Sequence, residues 1–252
     1  MELRDAAAMG LACLDLTNLN DDCTEEDVFA LCERALTPHG NTAAVCIWPR
    51  FVKAARSKLR TTGVRVATVV NFPSGMEAIE GVIDMTRQAV ADGADEIDLV
   101  VPYPLLMEGQ THQITAATAR VKEAAGQARV KTILETGVLG EAELIRAAAE
   151  EALEGGADFL KTSTGKVSVN ATLQAARILL EAIRDSGDPV GLKPAGGIRT
   201  TEDAAAYLDL CAEIMGEDWV SPTTFRIGAS GVLSAFLATL DGNAAPTVGS
   251  GY

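Results

Sequence analysis

The chain has few histidines and few cysteines, and each shortage argues against a class of function. Its two histidines, His39 and His112, lie far apart and outside the spacings typical of metal ligands, which argues against a metal-dependent enzyme. The five cysteines are widely spaced and include no Cys-x-x-Cys pair. This cysteine pattern indicates a reduced, cytoplasmic protein without a redox centre.

Long apolar segments and excess positive charge are absent as well. No run approaches about 18 apolar residues, and the N-terminus is unlike a signal peptide, so a soluble, unexported protein is expected. The formal net charge of -14 argues against nucleic acid or an anionic membrane as a partner. Because surface charges are screened over about 8 Å, local cations and backbone amides could still bind an anionic metabolite. Hydrolase, kinase and nicotinamide-binding glycine motifs are also missing.

What the sequence does contain is a regular alternation of short β-branched runs with longer helical stretches. The predicted strands are 11–16, 43–48, 66–70, 96–101, 130–134, 159–162, 190–193 and 225–228, and the predicted helices include 24–35, 76–92, 115–126, 141–154, 170–185 and 201–215. Eight such units in 252 residues favour a closed (β/α)8 TIM barrel over an open sheet. We expect one catalytic domain over residues 1–252, with a flexible tail from about 241 to 252.

Three charged residues lie within or at the end of apolar strands, where barrel enzymes carry their catalytic groups. They are Asp98, Lys161 and Lys193. A buried lysine is costly, and desolvation together with a nearby cation favours the neutral, nucleophilic amine. The alternative is that either lysine extends to the rim or pairs with Asp98 or Glu135. Asp98 could move protons, or it could be a salt-bridge partner of Lys193, and the two roles are compatible.

Glycine clusters follow the last three predicted strands, where such barrels usually bind phosphate. They are Thr164-Gly165, Gly196-Gly197 and Gly228-Ala229-Ser230-Gly231, with Lys166, Arg199 and Arg226 as nearby cations. Each cluster alone is explained equally well by a tight turn. Their shared position after the final strands favours a phosphate site.

Seven ordered segments together resemble the deoxyribose-phosphate aldolase family from about Leu14 onward. They are Leu14-Asp-Leu-Thr-Asn-Leu-Asn, Gly40-Asn-Thr-Ala-Ala-Val-Cys-Ile-Trp-Pro, Asn71-Phe-Pro-Ser-Gly, Ala94-Asp-Glu-Ile-Asp, Glu135-Thr-Gly, Lys161-Thr-Ser-Thr-Gly-Lys and Lys193-Pro-Ala-Gly-Gly-Ile-Arg-Thr. The resemblance implies a TIM barrel and a class I aldolase that needs neither metal nor organic cofactor. The implied reaction is the reversible cleavage of 2-deoxy-D-ribose 5-phosphate to acetaldehyde and D-glyceraldehyde 3-phosphate, in deoxyribonucleotide catabolism.

The same resemblance implies roles for individual residues. Lys161 would be the Schiff-base nucleophile, Asp98 the proton-transfer carboxylate and Lys193 the cation that keeps Lys161 neutral. The substrate-binding residues would be Asn20, Thr164, Gly165, Lys166, Gly196, Gly197, Ser230 and Gly231. The expected partners are small aldehydes and sugar phosphates, and the expected assembly is a homo-oligomer, specifically a dimer.

Three further features of the sequence bear on these expectations. Gly231 stands where relatives often have a second serine, which predicts weaker or altered phosphate affinity. Tyr252 could fold back into the site and assist proton transfer, although an unstructured tail is the simpler interpretation. Cys46 on a predicted strand is interpreted as a core or near-site thiol, and a small buried hydrophobic residue is the simpler of these interpretations. Two functions compete with the implied one, namely another Schiff-base sugar-phosphate aldolase or dehydratase, and a phosphate-binding barrel without catalysis.

Overall fold

The computed structural model describes residues 1–243 and shows a barrel of eight parallel strands. In chain order the strands are β1 (Leu14–Asn18), β2 (Ala44–Ile47), β3 (Arg65–Val70), β4 (Glu96–Val100), β5 (Arg129–Ile133), β6 (Phe159–Lys161), β7 (Gly191–Lys193) and β8 (Ile227–Ala229). Strands β1 to β7 pair in sequence, and β8 pairs with β1. Bridges Leu192 to Phe225 and Ala195 to Gly228 close the barrel between β7 and β8. The predicted (β/α)8 fold is confirmed.

Helices surround the barrel and connect its strands. They are α1 (Leu3–Ala12), α2 (Glu25–Arg34), α3 (Val52–Leu59), α4 (Ile79–Ala91), α5 (Tyr103–Met107), α6 (Gln113–Ala125), α7 (Thr136–Leu139), α8 (Ala142–Glu154), α9 (Leu173–Ser186), α10 (Thr201–Met215) and α11 (Val232–Leu240). Short 3-10 turns span Pro49–Phe51 and Glu217–Trp219, and a two-residue hairpin pairs Leu36–Thr37 with Gly40–Asn41. No helix among residues 1–243 is long and apolar enough to cross a membrane.

The predicted first strand begins too early in the sequence. Leu11 was assigned to a strand, but it lies in helix α1, and the strand begins at Leu14. Two apolar elements adjoin here, so the run of apolar residues does not mark the boundary between them. Helix α1 packs closely on the last helix, since a side chain at Gly10 would place its Cβ 2.5 Å from Cζ of Phe236.

Capping side chains and terminal glycines lie at several helix ends. Thr24 caps α2 in a reciprocal capping box with Asp27, as its spacing predicts. Gly187 ends α9 with φ +73, the left-handed conformation expected of a terminal glycine. A glycine that follows a helix commonly adopts this conformation, but Gly155 ends α8 with a φ of -72. Gly155 is instead required for close packing, since an added Cβ would lie 2.6 Å from Thr118 Cβ.

Side-chain alternation along the strands divides the buried residues between two surfaces. Ile97 and Leu99 pack outward into the core between strands and helices, whereas Val100 packs inside the barrel. The interior cluster on β2 and β3 is built from small or apolar residues such as Ala44, Cys46, Ala67 and Val69. The opposite part of the interior, from β1 and β4 to β8, contains charged side chains.

The predicted tail begins immediately after α11. Asp241 follows that helix, and its Oδ1 lies 2.7 Å from Nε2 of His39, which occupies the turn of the small hairpin. His112 lies directly before the first residue of α6. Residues 244–252, and with them Tyr252, lie outside the described residues.

Candidate active site

The strand register brings the three predicted catalytic side chains together inside the barrel. Lys161 on β6 lies directly beside Lys193 on β7. Each ammonium nitrogen lies 2.7 Å from Oδ2 of Asp98 on β4. The prediction that the two lysines lie within reach of each other is therefore confirmed. Asp98 also pairs with Lys193, which is the alternative role that the sequence left open for it. Glu135 instead accepts hydrogen bonds from Thr164, at 3.2 Å from its amide and 2.6 Å from its hydroxyl.

Four more buried charged residues belong to this cluster, and none of them is predicted there from the sequence. They are Asp15, Glu96, Lys131 and Arg226. Lys131 on β5 lies 2.8 Å from Asp98 Oδ1 and 2.7 Å from Glu96 Oε2. Asp15 on β1 lies 2.6 Å from Lys193 Nζ and 2.6 Å from Arg226 Nη1. A signal was available in the sequence, because Glu96 and Lys131 interrupt apolar strands at positions that face inward by strand alternation.

Arg226 corrects one expectation of the sequence analysis. It was expected to add charge near the phosphate, but its side chain is buried inside the barrel. Its guanidinium donates two hydrogen bonds to Glu96, at 2.9 and 2.7 Å, and one to Asp15. Its position directly before β8 directs it inward, and the buried carboxylates of Glu96 and Asp15 hold it there.

The environment of Lys161 differs from that of the other two lysines. Burial lowers the pKa of Lys161, and although Asp98 opposes this effect, the positive charge of Lys193 adds to the lowering. Burial acts in the same direction on Lys193, but the carboxylates of Asp15 and Asp98 outweigh it and raise its pKa. For Lys131, Asp15 and Asp98 likewise outweigh burial, and its pKa is raised. Lys161 is therefore the lysine of this group that favours the neutral amine.

Asp98 is the negative centre of the cluster. Burial acts to raise its pKa, but Lys131, Lys161 and Lys193 together lower it well below the ordinary value. Its carboxylate is therefore ionised at neutral pH and bridges the lysines. Cys46 on β2 has its Sγ 3.9 Å from Asp98 Oδ2, and burial raises the pKa of this thiol. Cys46 is fully buried, as its interpretation as a core thiol requires.

Lys161 opens into a cavity of about 610 Å³ at the carboxyl ends of the strands. Its side chain is 4% exposed, whereas those of Lys131 and Lys193 are fully enclosed. Thr17 and Leu19 from the end of β1 line the same cavity. A small molecule in the cavity could reach the amine of Lys161 while the rest of the charged cluster stays beneath it.

The glycine clusters form the other end of this cavity. Gly165, Gly196, Gly197, Ser230 and Gly231 all line it, which is the meeting of loops that their sequence positions suggested. Gly165, Gly196 and Gly197 have φ values of +84, +79 and +84, a conformation that disfavours side-chain-bearing residues. Helix α11 begins just after Gly231, so its N-terminal amides lie beside the cavity. This end provides backbone donors suited to an anion.

The remaining predicted substrate-binding residues lie less directly at the cavity. Thr164 lines it, but its amide and hydroxyl are donated to Glu135. Lys166 Nζ donates to the carbonyl of Leu19 at 2.8 Å and lies 3.5 Å from Asp21 Oδ1. Asn20 is exposed, and its carbonyl accepts from Trp48 Nε1 at 2.9 Å. Arg199 lines the cavity rim.

Comparison with known proteins agrees with this geometry. The model of the DeoC/LacD family aldolases matches residues 10–235. The chain is 54% identical, over 99% of its length and 97% of the relative's, to a deoxyribose-phosphate aldolase of Agrobacterium fabrum (strain C58 / ATCC 33970).

Solved structures give the same result. A crystal structure of the apo form of a provisionally named deoxyribose-phosphate aldolase from Toxoplasma gondii ME49 matches with a TM-score of 0.87 and 26% identity, covering 95% of this chain and 98% of the other. Another provisionally named deoxyribose-phosphate aldolase, from Coccidioides immitis, matches with a TM-score of 0.81 and 29% identity, covering 93% and 86%. The chain thus belongs to the DeoC/LacD family of aldolases.

Proposed function

We propose that this protein is a class I aldolase that reversibly cleaves 2-deoxy-D-ribose 5-phosphate to acetaldehyde and D-glyceraldehyde 3-phosphate through a Schiff base on Lys161. The observation that carries the proposal is one cavity with two unlike ends. At one end lies a buried lysine with a lowered pKa, and at the other lie glycine-rich loops and a helix N-terminus. The 54% identical Agrobacterium relative supports the choice of substrate.

In the direction of synthesis, the neutral amine of Lys161 attacks the carbonyl carbon of acetaldehyde. The carbinolamine loses water to form an iminium, and removal of a methyl proton then gives an enamine. Asp98 Oδ2, 2.7 Å from both Lys161 and Lys193, is placed to accept and return protons in these steps. The enamine carbon then attacks the aldehyde carbon of glyceraldehyde 3-phosphate, and hydrolysis of the resulting imine releases the sugar phosphate and the amine of Lys161.

The phosphate group of the substrate contributes to catalysis by positioning the substrate in the cavity. In this proposal it rests at Gly165, Gly196, Gly197, Ser230 and Gly231, remote from the reacting carbons, so its binding energy orients the aldehyde toward the enamine. Thr164, Lys166 and Asn20 act less directly, by ordering the loops beside the cavity.

The setting in which the enzyme works is part of the same proposal. We assign it to the cytoplasm, acting in deoxyribonucleotide catabolism as one catalytic domain in a homodimer, with small aldehydes and sugar phosphates as its partners. It uses no metal and no organic cofactor in this mechanism.

Borohydride trapping tests the proposal directly. The protein is incubated with acetaldehyde, reduced, digested and mapped by mass spectrometry, alongside Lys161→Ala and the surface control Lys53→Ala. We expect an ethyl adduct on Lys161 in the wild type and in the control, and none at any barrel lysine in Lys161→Ala. An adduct on Lys193 would mean that the roles of the two lysines are exchanged.

The competing functions give different results. A phosphate-binding barrel without catalysis would yield no adduct while still binding a phosphorylated ligand. Another Schiff-base aldolase or a dehydratase would give the adduct with its own carbonyl substrate but would not cleave 2-deoxy-D-ribose 5-phosphate, and substrate profiling would reveal this.

A further inference from the structure

The formal charge of the buried cluster around Asp98 can be counted from its ion pairs. Within residues 1–243 it joins three carboxylates, Asp15, Glu96 and Asp98, to the cations of Lys131, Lys193 and Arg226 and to Lys161. Each of these residues is at most 3% exposed. If Lys161 is an ammonium, four positive charges face three negative ones. If Lys161 is an amine, the numbers are equal.

This difference matters because the cluster is shielded from water. An uncompensated charge costs far more in a protein interior than at the surface, and a buried group responds by changing its protonation state. Arginine keeps its proton under all ordinary conditions. Lys131 and Lys193 are each held between carboxylates, at 2.8 Å or less from two of them. Lys161 has one carboxylate partner, Asp98, and is the lysine whose release of a proton disturbs the fewest ion pairs.

We propose that the cluster as a whole sets the protonation state of Lys161, and that Glu96 and Lys131 act as positioning residues that balance its charge. This inference rests on the proposed function and adds determinants beyond the neighbouring Lys193. Glu96 forms ion pairs with two buried cations, Lys131 and Arg226, and Lys131 bridges Glu96 to Asp98. Both therefore influence Lys161 through the net charge around it.

Other titratable groups near Lys161 do not alter the count. Asp98 and Lys193 are already included. Burial raises the pKa of the Cys46 thiol, which leaves it uncharged at neutral pH. Burial also raises the pKa of Glu135, and the charge of Lys161 opposes this effect, but the carboxylate accepts its hydrogen bonds from Thr164 and forms no ion pair with the described residues of the cluster. Arg65 lies 3.7 Å from Glu96, but its side chain is 41% exposed, so water screens its charge.

The test changes one charge at a time. Lys131→Met removes a positive charge, so the cluster becomes neutral when Lys161 is protonated, and the midpoint for deprotonation of Lys161 should rise by about one to two pH units. Glu96→Gln removes a negative charge with little change in volume, and the midpoint should fall by up to about one unit. The double variant restores the balance and should return the midpoint close to the wild-type value.

Two readouts are measured across pH in each variant. One is the rate at which trace acetic anhydride acetylates Lys161, followed on its peptide by mass spectrometry, which reports the free amine without any aldol chemistry. The other is the rate of borohydride trapping with acetaldehyde. Thr68→Val serves as control, because it removes a buried hydrogen bond to the Ile47 carbonyl without changing charge. It should lower stability but leave the midpoint unchanged.

Opposite shifts in the two single variants, cancelled in the double variant, would support the inference. Folded variants with unmoved midpoints, or with shifts in the same direction, would overturn it. If Lys131→Met does not fold, Glu96→Gln alone decides, since an unchanged or raised midpoint there contradicts the charge balance. Shifts in acetylation without any trapped adduct would refute the proposed function and leave the charge-balance inference standing.

Discussion

The two ends of the cavity are built from different chemical groups. At the inner end, six side chains from five strands, together with Arg226 directly before β8, form a continuous set of ion pairs. At the outer end, glycine-rich loops and the first turn of α11 line the cavity. The inner end depends on charge, whereas the outer end depends on backbone conformation. The following predictions test this difference, in order of decreasing effect.

Asp98→Asn should have the largest effect, because it removes the carboxylate shared by three lysines. We expect the rate of aldol cleavage to fall by about 10²- to 10⁴-fold through loss of proton transfer. Stability should fall by about 3–5 kcal/mol, the usual cost of leaving buried charges unpaired. The control is Asp95→Asn, whose partner Arg56 lies outside the barrel interior. Steady-state kinetics and denaturant unfolding measure both quantities, and an Asp98→Asn rate near wild type would contradict the assignment.

Acid should weaken the inner end in a defined range. The pKa values of Glu96 and Asp98 are lowered in the fold, because cations outweigh the effect of burial. A carboxyl of this kind adds stability above its unfolded pKa of about 4, and that stability is lost as pH falls through the lower folded value. We therefore expect the unfolding free energy to decline mainly below about pH 4, with a smaller decline in Glu96→Gln. Urea unfolding at a series of pH values checks this, and an equal decline in both proteins would contradict it.

Gly196→Ala should damage the outer end and leave the chemistry intact. Its φ is +79, and an added Cβ would lie 2.8 Å from Asn170. Strain of about 1–3 kcal/mol should displace the loop and raise KM for the phosphorylated substrate by about tenfold, with a smaller change in kcat. Gly197→Ala is the matched control, because its φ is similar, +84, but its Cβ would meet no atom of residues 1–243 within 4 Å. Equal effects from the two variants would show that the clash with Asn170 is unimportant.

Gly231→Ser should have the smallest effect and the opposite sign. Gly231 has a φ of -86, which any residue adopts, and an added Cβ would meet nothing within 4 Å in the part of the chain that the structure describes. A serine there adds a hydroxyl at the lining of the outer end, and we expect KM for the phosphorylated substrate to fall by about threefold, a fraction of a charged hydrogen bond's energy. Gly231→Ala is the matched control, because it adds the Cβ carbon without the hydroxyl. Identical KM values in the Ser and Ala variants would exclude a hydroxyl contact.

The outer end was more predictable from sequence than the inner end. Glycine clusters after three consecutive strands predict where backbone meets an anion, since strand order alone places those loops together. The inner end required pairings between residues as distant as Asp15 and Arg226. Because the sequence does not reveal these pairings, it predicts Arg226 near the phosphate. Its true environment depends on the alternation of β8 and on which carboxylates face it across the barrel.

By itself the sequence determined the order of strands and helices, the barrel they close, and three of the residues in its charged interior, Asp98, Lys161 and Lys193. These follow from local periodicity and from residue types that are costly to bury. Only the tertiary structure decided which of the three buried lysines opens into the cavity and how many carboxylates surround each. Protonation depends on the sum of charges within a few ångströms, and that sum exists only once eight strands have brought their inward-facing side chains together.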